Sequence, residues 1–269
     1  MRSGNEIEEN PMSKNPAKDF GPIADDYAFF EAHATEAEQD LRAFMERLAG
    51  MVPAGGVLRF LDYGCGSGSF TARLLQQAAW SPARLWLTLI EPVETQRRQA
   101  VARLAGYTEQ PLVDAAALPG EPVASFDIVL ANHVLYYVPE LRRQLATLIG
   151  ALSREGVFVT AIAARTNALV EFWIAGFRLL SQEVPYNTSE DVEAGLHALG
   201  AAYQKQQVAY QLAFPDTKAN RMRILRFLLA EHLAQLPIRP LMDLFDRYVD
   251  AGWIRIQTAS DHYTIRGRA

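Results

Sequence analysis

Apolar and polar positions follow two patterns along the chain, and the change from one pattern to the other predicts where a strand ends and a helix begins. Short apolar runs predict strands buried on both faces, whereas longer stretches with apolar residues three or four apart predict amphipathic helices. The pattern of short apolar runs predicts strands at 57–63, 85–90, 111–114, 126–131 and 156–162. The second pattern predicts helices at 22–50, 69–79, 94–105 and 139–152.

The last third of the chain has a different order of elements. Helices are predicted at 167–181, 188–199, 218–236 and 241–251, and strands at 204–214 and 262–266. The earlier alternation of strands and helices implies right-handed crossovers and a doubly wound parallel sheet of the α/β class. Two late strands with helices between them add an antiparallel edge and a helical cap.

These elements divide the chain into four parts. Residues 1–18 are polar, contain two prolines and are expected to be mobile. Residues 19–54 form a predicted N-terminal helical lid, and residues 55–165 form the ligand-binding core. Residues 166–269 supply the remaining strands and a helical cap over the substrate.

Composition narrows the classes of protein. The 269 residues, 49% of them hydrophobic, are enough for one large core. A net charge of -5 disfavours a nucleic-acid partner. One cysteine excludes an internal disulfide and suggests a reducing, cytoplasmic location. No apolar run is long enough to span a membrane, and the first residues lack a secretion signal. We expect a monomer or homodimer.

Residues 61–70, LDYGCGSGSF, place Gly64, Gly66 and Gly68 between a predicted strand and a predicted helix, with Asp62 and Cys65 beside them. A helix N-terminus presents free N–H groups, and glycine lets a ligand approach the backbone closely. The stretch is therefore a candidate ligand cradle, and a tight turn without a ligand is the alternative. No Lys-Ser or Lys-Thr pair follows, which excludes a P-loop.

Polar residues also end the next three strands. Glu91, followed by Pro92, could accept two hydrogen bonds from a ribose diol, or it is simply a surface residue in a turn. Asp114 and Ala115 end the third strand, where an acid could meet an adenine amino group. Asn132 and His133 end the fourth strand.

This order and spacing resembles the class I S-adenosylmethionine-dependent methyltransferases, over about residues 55–165. The resemblance implies a Rossmann-like, seven-stranded sheet whose last strand is reversed. It also implies S-adenosylmethionine as cofactor, with its methionyl part over the glycine turn and its ribose on Glu91. Asn132 would hold the cofactor amino group through its backbone carbonyl, and Cys65 would be a small packing residue.

A narrower resemblance is to histamine N-methyltransferase and its bacterial relatives, at 33–36, 91–96 and 135–138. It implies that Glu36 contacts the acceptor and Gln96 the cofactor. The family's acceptor-contacting glutamine falls on His133, which is a departure from the pattern. Ser260 or Asp261 lies near the place of its acceptor-binding asparagine.

The residue types suggest how an acceptor amine would react. His133 is a candidate general base, an orienting donor or a structural histidine. Glu36 could anchor a cationic acceptor or be a solvated helix residue. Aromatic faces attract a sulfonium and favour an uncharged amine, although each aromatic could equally be core packing. The candidate aromatic wall for catalysis and substrate binding comprises Tyr27, Phe30, Tyr136, Tyr137 and Trp173. The scattered histidines suggest no metal site.

The sequence therefore predicts methyl transfer to a small molecule, most simply at an amine nitrogen, and otherwise at oxygen or carbon. An alternative is a cyclase that turns the cofactor's own aminobutyrate chain into azetidine-2-carboxylate and methylthioadenosine. A third possibility is a non-catalytic cofactor-binding scaffold. An NAD-dependent oxidoreductase is disfavoured, because the glycine spacing differs from the dinucleotide fingerprint.

Overall fold

The computed structural model describes residues 21–49, 56–118 and 126–267. The predicted mobile segment 1–18 lies outside these residues. Helix α1 (Ala24–His33) and helix α2 (Glu36–Leu48) replace the single helix predicted at 22–50, which was wrong. Ala34 between them is extended and forms a bridge with Leu212. Thr35 bonds Gln211 in both directions, so pairing with a distant strand, and not a local breaker residue, ends α1.

The core alternates strands and helices as predicted. Its elements are β1 (Leu58–Tyr63), α3 (Ser69–Ala78), β2 (Leu85–Ile90), α4 (Glu94–Leu104), β3 (Val113–Ala115), β4 (Phe126–Asn132), α5 (Leu141–Gly150) and β5 (Leu152–Ile162). The main difference from prediction is that α5 ends at Gly150 and β5 begins at Leu152, within the helix predicted at 139–152.

The last third differs more from the prediction. Its elements are α6 (Ala168–Leu179), α7 (Ser189–Ala198), β6 (Tyr203–Pro215), α8 (Lys218–Leu229), α9 (Ile238–Asp243), β7 (Val249–Asp250) and β8 (Trp253–Arg266). The helix predicted at 218–236 ends early, because Ala230 has a φ of 43° and the chain continues as a 3-10 helix. The helix predicted at 241–251 is a short α-helix followed by a turn and β7. Strand β8 is much longer than the predicted 262–266.

The strands form one sheet in the order β3-β2-β1-β4-β5-β8-β6, with the short β7 paired to β8. Strands β1 to β5 are parallel to one another, whereas β8 is antiparallel to both β5 and β6. This arrangement confirms the predicted α/β class and the reversed last strand.

Helices cover both faces of the sheet, because successive strand residues point to opposite sides. One apolar cluster joins Phe60 and Ile128 of the sheet to Phe44 of α2, Leu74 of α3 and Ala100 of α4. The other cluster contains the alternate sheet residues together with apolar side chains of α5, α6, α7 and α8. Thus α2 packs on the same face as the helix that opens with the glycine stretch.

Within the described ranges, no helix combines the length and the apolar character that crossing a membrane would need.

Candidate functional site

The glycine turn between β1 and α3 is built by backbone conformation. Gly64 has a φ of +74°, and a Cβ there would lie 2.2 Å from Cγ2 of Val134. The N–H groups of Gly64 and Cys65 donate to the carbonyl of Ile90, at 2.7 and 3.1 Å. Gly66 and Gly68 also have positive φ, and Gly68 starts α3. The turn is therefore tied to β2 on one side and to the segment after β4 on the other.

Asp62 supports this turn from beneath. Its carboxylate is buried and accepts a hydrogen bond from the Thr71 hydroxyl of α3. Burial raises the pKa of Asp62 to about 7, the bond from Thr71 opposes the shift, and the charge of Glu91 adds to it. Asp62 therefore fixes the start of α3 and supports the glycine turn.

Glu91 ends β2 and reaches back to the glycine turn. Its carboxylate accepts a hydrogen bond from the Val93 N–H at 2.9 Å and another from the Gly66 N–H at 3.0 Å. The structure thus joins Glu91 to the glycine stretch across 25 positions of sequence. Its carbonyl accepts a bond from Arg97, whose guanidinium also pairs with Asp114 at 3.1 Å.

The remaining predicted cofactor residues lie along the same edge. Ala115 accepts a hydrogen bond from the Glu91 N–H, which holds the ends of β2 and β3 together. Pro92 is exposed, and Gln96 and Cys65 are half-buried. Burial raises the pKa of the Cys65 thiol, which suits a packing residue better than a reactive one.

Asn132 offers an unused polar atom at this edge. Its side-chain Oδ1 is buried and has no hydrogen-bond partner among the described residues. Beyond Gly66 and its two chain neighbours, no described atom lies within 4 Å of a Cβ built on Gly66. A carboxylate suited to a diol, an unpartnered acceptor suited to an ammonium and open backbone at the turn together fit a nucleoside that carries an amino acid.

A second polar cluster adjoins the turn and is defined by Glu36, Asp40, His133 and His262. We call it the acidic cluster. Asp40 is 1% exposed, and its two oxygens accept one hydrogen bond each, from His133 Nε2 at 3.0 Å and from His262 Nε2 at 2.8 Å. His133 Nε2 also lies 3.7 Å from Glu36 Oε1. The described residues contain no group of His, Cys, Asp and Glu arranged to hold a metal ion, this cluster included.

His133 is held from both sides. Its φ is +52°, and its N–H donates to the Ala161 carbonyl of β5. Its Nδ1 lies 3.0 Å from the Tyr136 hydroxyl, which accepts a hydrogen bond from the Ala163 N–H at 2.7 Å. The predicted pair of His133 and Tyr136 is therefore brought together, stacked with ring planes 12° apart.

The charges in the acidic cluster depend on one another. Burial disfavours a charged imidazole, but the carboxylates of Glu36 and Asp40 outweigh it and raise the pKa of His133 to about 9. Burial also opposes ionisation of Asp40, yet the two histidines lower its pKa to about 2. Burial raises the pKa of Glu36 and His133 opposes that shift. Asp40 and His133 are thus an ion pair at neutral pH.

Glu36 has weaker partners than Asp40. The Ser260 hydroxyl lies 3.5 Å from its Oε1, and Tyr210 of β6 also bonds its side chain. Asp261, the other residue considered near this place, turns away and accepts a bond from the Ser189 hydroxyl.

Three predicted aromatic residues form one cluster. Tyr136 meets Trp173 edge to face at 5.4 Å, and Tyr137 meets Tyr186 at 5.3 Å. The Trp173 indole N–H donates to the Leu228 carbonyl, so its polar edge serves the fold. The predicted Tyr27 and Phe30 instead stack on Phe227 of α8, at 5.5 and 4.6 Å.

Sequence reasoning missed Asp40, His262, Tyr210 and Tyr186. One signal for Asp40 was present, because Glu36, Asp40, Phe44 and Leu48 are four residues apart and share one helix face. An acid on an otherwise apolar stripe calls for a buried partner. His262 gave no comparable local signal.

Known proteins resemble the region that carries these features. Residues 61–158 match the family described as "Methyltransferase domain". A trans-aconitate 2-methyltransferase from Rhodopseudomonas palustris strain BisB18 is 31% identical over 134 residues, which is 50% of this chain and 47% of that protein. The chain thus spans about half the length of the curated relatives it matches.

Solved structures share the fold at low identity. The YcgJ protein from Bacillus subtilis is 16% identical with a TM-score of 0.58, over 86% of this chain and 99% of that one. The plantazolicin methyltransferase BpumL, in complex with SAH, is 14% identical with a TM-score of 0.53, over 92% and 91%. Residues 61–158, which hold the glycine turn and Glu91, are thus similar to a methyltransferase domain, and the chain shares the fold of these solved structures, with its last strand reversed.

Proposed function

We propose that this protein transfers the methyl group of S-adenosylmethionine to a nitrogen of a small amine. The observation that carries the proposal is the Glu36 carboxylate beside the glycine turn, one helical turn from Asp40, whose own charge is balanced by His133. The location of both carboxylates follows from contacts, because His133 bonds Asp40 and the next residue, Val134, packs against Gly64. An ammonium is the acceptor group that such a cluster would attract.

The chain's residues have distinct tasks in this proposal. When bound, S-adenosylmethionine supplies an activated methyl group on a sulfonium, suited to in-line displacement. Glu91 and Asn132 would hold the cofactor by its diol and its ammonium group. Glu36 would anchor the acceptor amine, and the wall of Tyr136, Tyr137 and Trp173 would exclude water and favour the uncharged amine.

The relatives suggest a different acceptor, which the acidic cluster disfavours. Trans-aconitate carries several carboxylates, and such a substrate needs cationic side chains around it. Within the described part of the cluster, His133 is the one cation, and it is already paired with Asp40. The comparisons lend no support to the narrower resemblance to histamine N-methyltransferase, so the amine rests on the charges of this site alone. A small-molecule partner without nucleic acid, a cytoplasmic location and a monomer or homodimer stay predictions.

Mass spectrometry of the products tests the proposal. The protein is incubated with S-adenosylmethionine alone, and then with phenethylamine, histamine, tryptamine or trans-aconitate. We expect S-adenosylhomocysteine and a methylated amine, formed only when an amine is present. Methylthioadenosine from the cofactor alone would mean cyclisation, and a methyl ester of trans-aconitate would mean a carboxylate acceptor.

A pair of variants on one helix controls for folding. Glu36→Gln should lose most amine methylation, because the carboxylate that would anchor the ammonium is gone. Glu38→Gln lies on the same helix but is exposed and pairs only with Arg42, so its turnover should stay near that of the wild type. Equal losses in both variants would contradict the role of Glu36.

A further inference from the structure

We propose that Asp40 and His262 are positioning residues that hold His133 with both ring nitrogens engaged, so that Glu36, and not His133, receives the proton of the acceptor amine. This inference deepens the proposed function and rests on it. It replaces the simpler expectation that the histidine at the end of β4 is the general base.

Asp40 is positioned to serve the histidines and not a ligand. Each of its carboxylate oxygens already accepts a bond from an imidazole, and the side chain is almost fully buried on the inner face of α2. A buried carboxylate of this kind needs a positive partner. His133 and His262 come from β4 and β8, so Asp40 fixes the relative placement of α2 and two strands.

The protonation of His262 follows from its surroundings. Its Nε2 bonds Asp40, whereas its Nδ1 is buried and has no partner among the described residues. A proton on Nδ1 would leave a buried donor unsatisfied, which is costly. Its ring also lies 4.8 Å from the ring of Phe44, centroid to centroid. We therefore place the donated proton of His262 on Nε2, toward Asp40, and assign no role as a donor to Nδ1.

His133 has no nitrogen left for a substrate. Nε2 bonds Asp40, and Nδ1 bonds the Tyr136 hydroxyl, which the Ala163 N–H holds in place. This holds for the charged ring and for the neutral tautomer with its proton on Nε2, because in both the Asp40 carboxylate accepts the hydrogen bond from Nε2. The charged or titratable groups that face it are Glu36, Asp40 and Tyr136, with His262 across Asp40. His133 can therefore orient and neutralise these groups without taking a proton.

Glu36 has acceptor positions for a substrate proton, which His133 lacks. Its side chain is 15% exposed, against 19% for His133 and 1% for Asp40, so the difference from His133 lies in hydrogen bonding and not in exposure. A carboxylate offers about four acceptor positions, and the described contacts of Glu36 are a long bond from Ser260 and one from Tyr210. Burial raises its pKa, which makes it a better proton acceptor than an exposed glutamate. The N–H bond of the substrate ammonium breaks, the proton goes to Glu36, and the nitrogen keeps the lone pair.

Nitrogen NMR of the histidines tests the positioning directly and needs no acceptor. The protein is labelled with 15N-histidine and saturated with S-adenosylhomocysteine. It is then titrated from pH 5 to pH 10, a range of about five pH units. We expect His133 to titrate near pH 9 in the wild type, and the Nε2 of His262 to carry the proton of its hydrogen bond to Asp40. In Asp40→Asn the titration of His133 should move down by more than one unit.

Two further variants keep the result interpretable. Glu36→Gln should also lower the titration of His133 but leave the bond from His133 to Asp40 in place. His262→Gln keeps a donor toward Asp40, so His133 should titrate near its wild-type position. The 15N signals of His197, which bonds Tyr203 outside the cluster, report an intact fold in each variant. A His133 titration unmoved by Asp40→Asn, or a His262 whose Nε2 carries no proton, would overturn the inference.

Kinetics then separate the inference from the proposed function. With phenethylamine, Glu36→Gln should lose more than 100-fold in kcat across the pH range, and His133→Gln should lose less than tenfold. A loss in His133→Gln as large as that in Glu36→Gln would make His133 the base and reject the inference. If the wild type methylates no amine, the proposed function fails, whereas the NMR titrations still decide whether Asp40 and His262 position His133.

Discussion

The cofactor edge and the acidic cluster touch at Gly64 and Val134, yet they are assembled in opposite ways. The cofactor edge, which comprises the glycine turn and the strand-end residues Glu91, Ala115 and Asn132, draws on residues 62–132 and relies on backbone N–H groups and positive φ angles. The acidic cluster joins Asp40 to His133 across 93 positions and to His262 across 222, and relies on side-chain charges. The cofactor edge therefore depends on backbone conformation, whereas the acidic cluster depends on the balance of its charges.

This difference indicates what each region tolerates. Backbone geometry is lost when a Cβ is added, and backbone groups do not titrate, although the supporting Asp62 has its pKa raised to about 7. A buried group of two acids and two imidazoles can keep its shape and still change its charge state. The two regions should therefore respond to different perturbations, and the variants below separate them.

The largest effect is expected at Gly64. In Gly64→Ala the new methyl would sit 2.2 Å from Val134 and at a φ of +74°, which L-residues rarely adopt. We expect at least 30-fold weaker binding of S-adenosylhomocysteine by calorimetry, together with a lower melting temperature. Gly200→Ala is the matched control, because its φ is +61°, no described atom beyond its chain neighbours is within 4 Å of the added carbon, and it lies outside the glycine turn. Equal losses in the two variants would mean that the contact with Val134 does not matter.

A smaller effect is expected at Glu91. Glu91→Ala removes a buried carboxylate that bonds two backbone N–H groups and, in our proposal, the cofactor ribose. Loss of hydrogen bonds to a charged group costs about 1–3 kcal/mol, which corresponds to roughly 5- to 150-fold in affinity. Calorimetry with S-adenosylhomocysteine measures it. Glu94→Ala, an exposed residue paired with Arg98, is the control, and unchanged affinity in Glu91→Ala would remove Glu91 from the cofactor site.

The smallest effect is expected at Asp114. Its ion pair with Arg97 is partly exposed, and such pairs contribute about 0–1 kcal/mol. Asp114→Asn should therefore change cofactor affinity by less than about fivefold, with less difference still in high salt. A loss as large as that of Glu91→Ala would show that Asp114 contacts the adenine directly.

Much of the fold was predictable because its signals are local. Strand β2 was predicted from one apolar run at its observed boundaries, and the glycine turn marked the edge where Glu91 lies. The break at Ala34 was not predictable, because pairing with Leu212 causes it. Strand β8 was underestimated even though Ile254 and Ile256 alternate with polar residues, a pattern typical of a strand with one buried face.

The residues of the candidate site also divide into those with a local sequence signal and those without one. Residues of the cofactor edge follow strand ends, so position in the pattern identified Glu91 and Asn132. His133 was identified too, but its role depends on Asp40 and His262, and nothing local links those residues. Partners this far apart in sequence can be identified only when the register between β5 and β8 is known, because that register places Ala161 opposite His262.

Strand β8 lies between β5 and β6, although both precede it in the chain, and this order governs how the protein is made. A ribosome adding 5–20 residues per second needs about 11–44 s to travel the 222 positions from Asp40 to His262. During that interval the Asp40 carboxylate lacks one of its two imidazole donors, and the gap that β8 will fill exposes two strand edges. The nascent chain therefore passes through a stage in which edge-to-edge association competes with folding, and a chaperone that shields β5 and β6 would raise the yield of native protein.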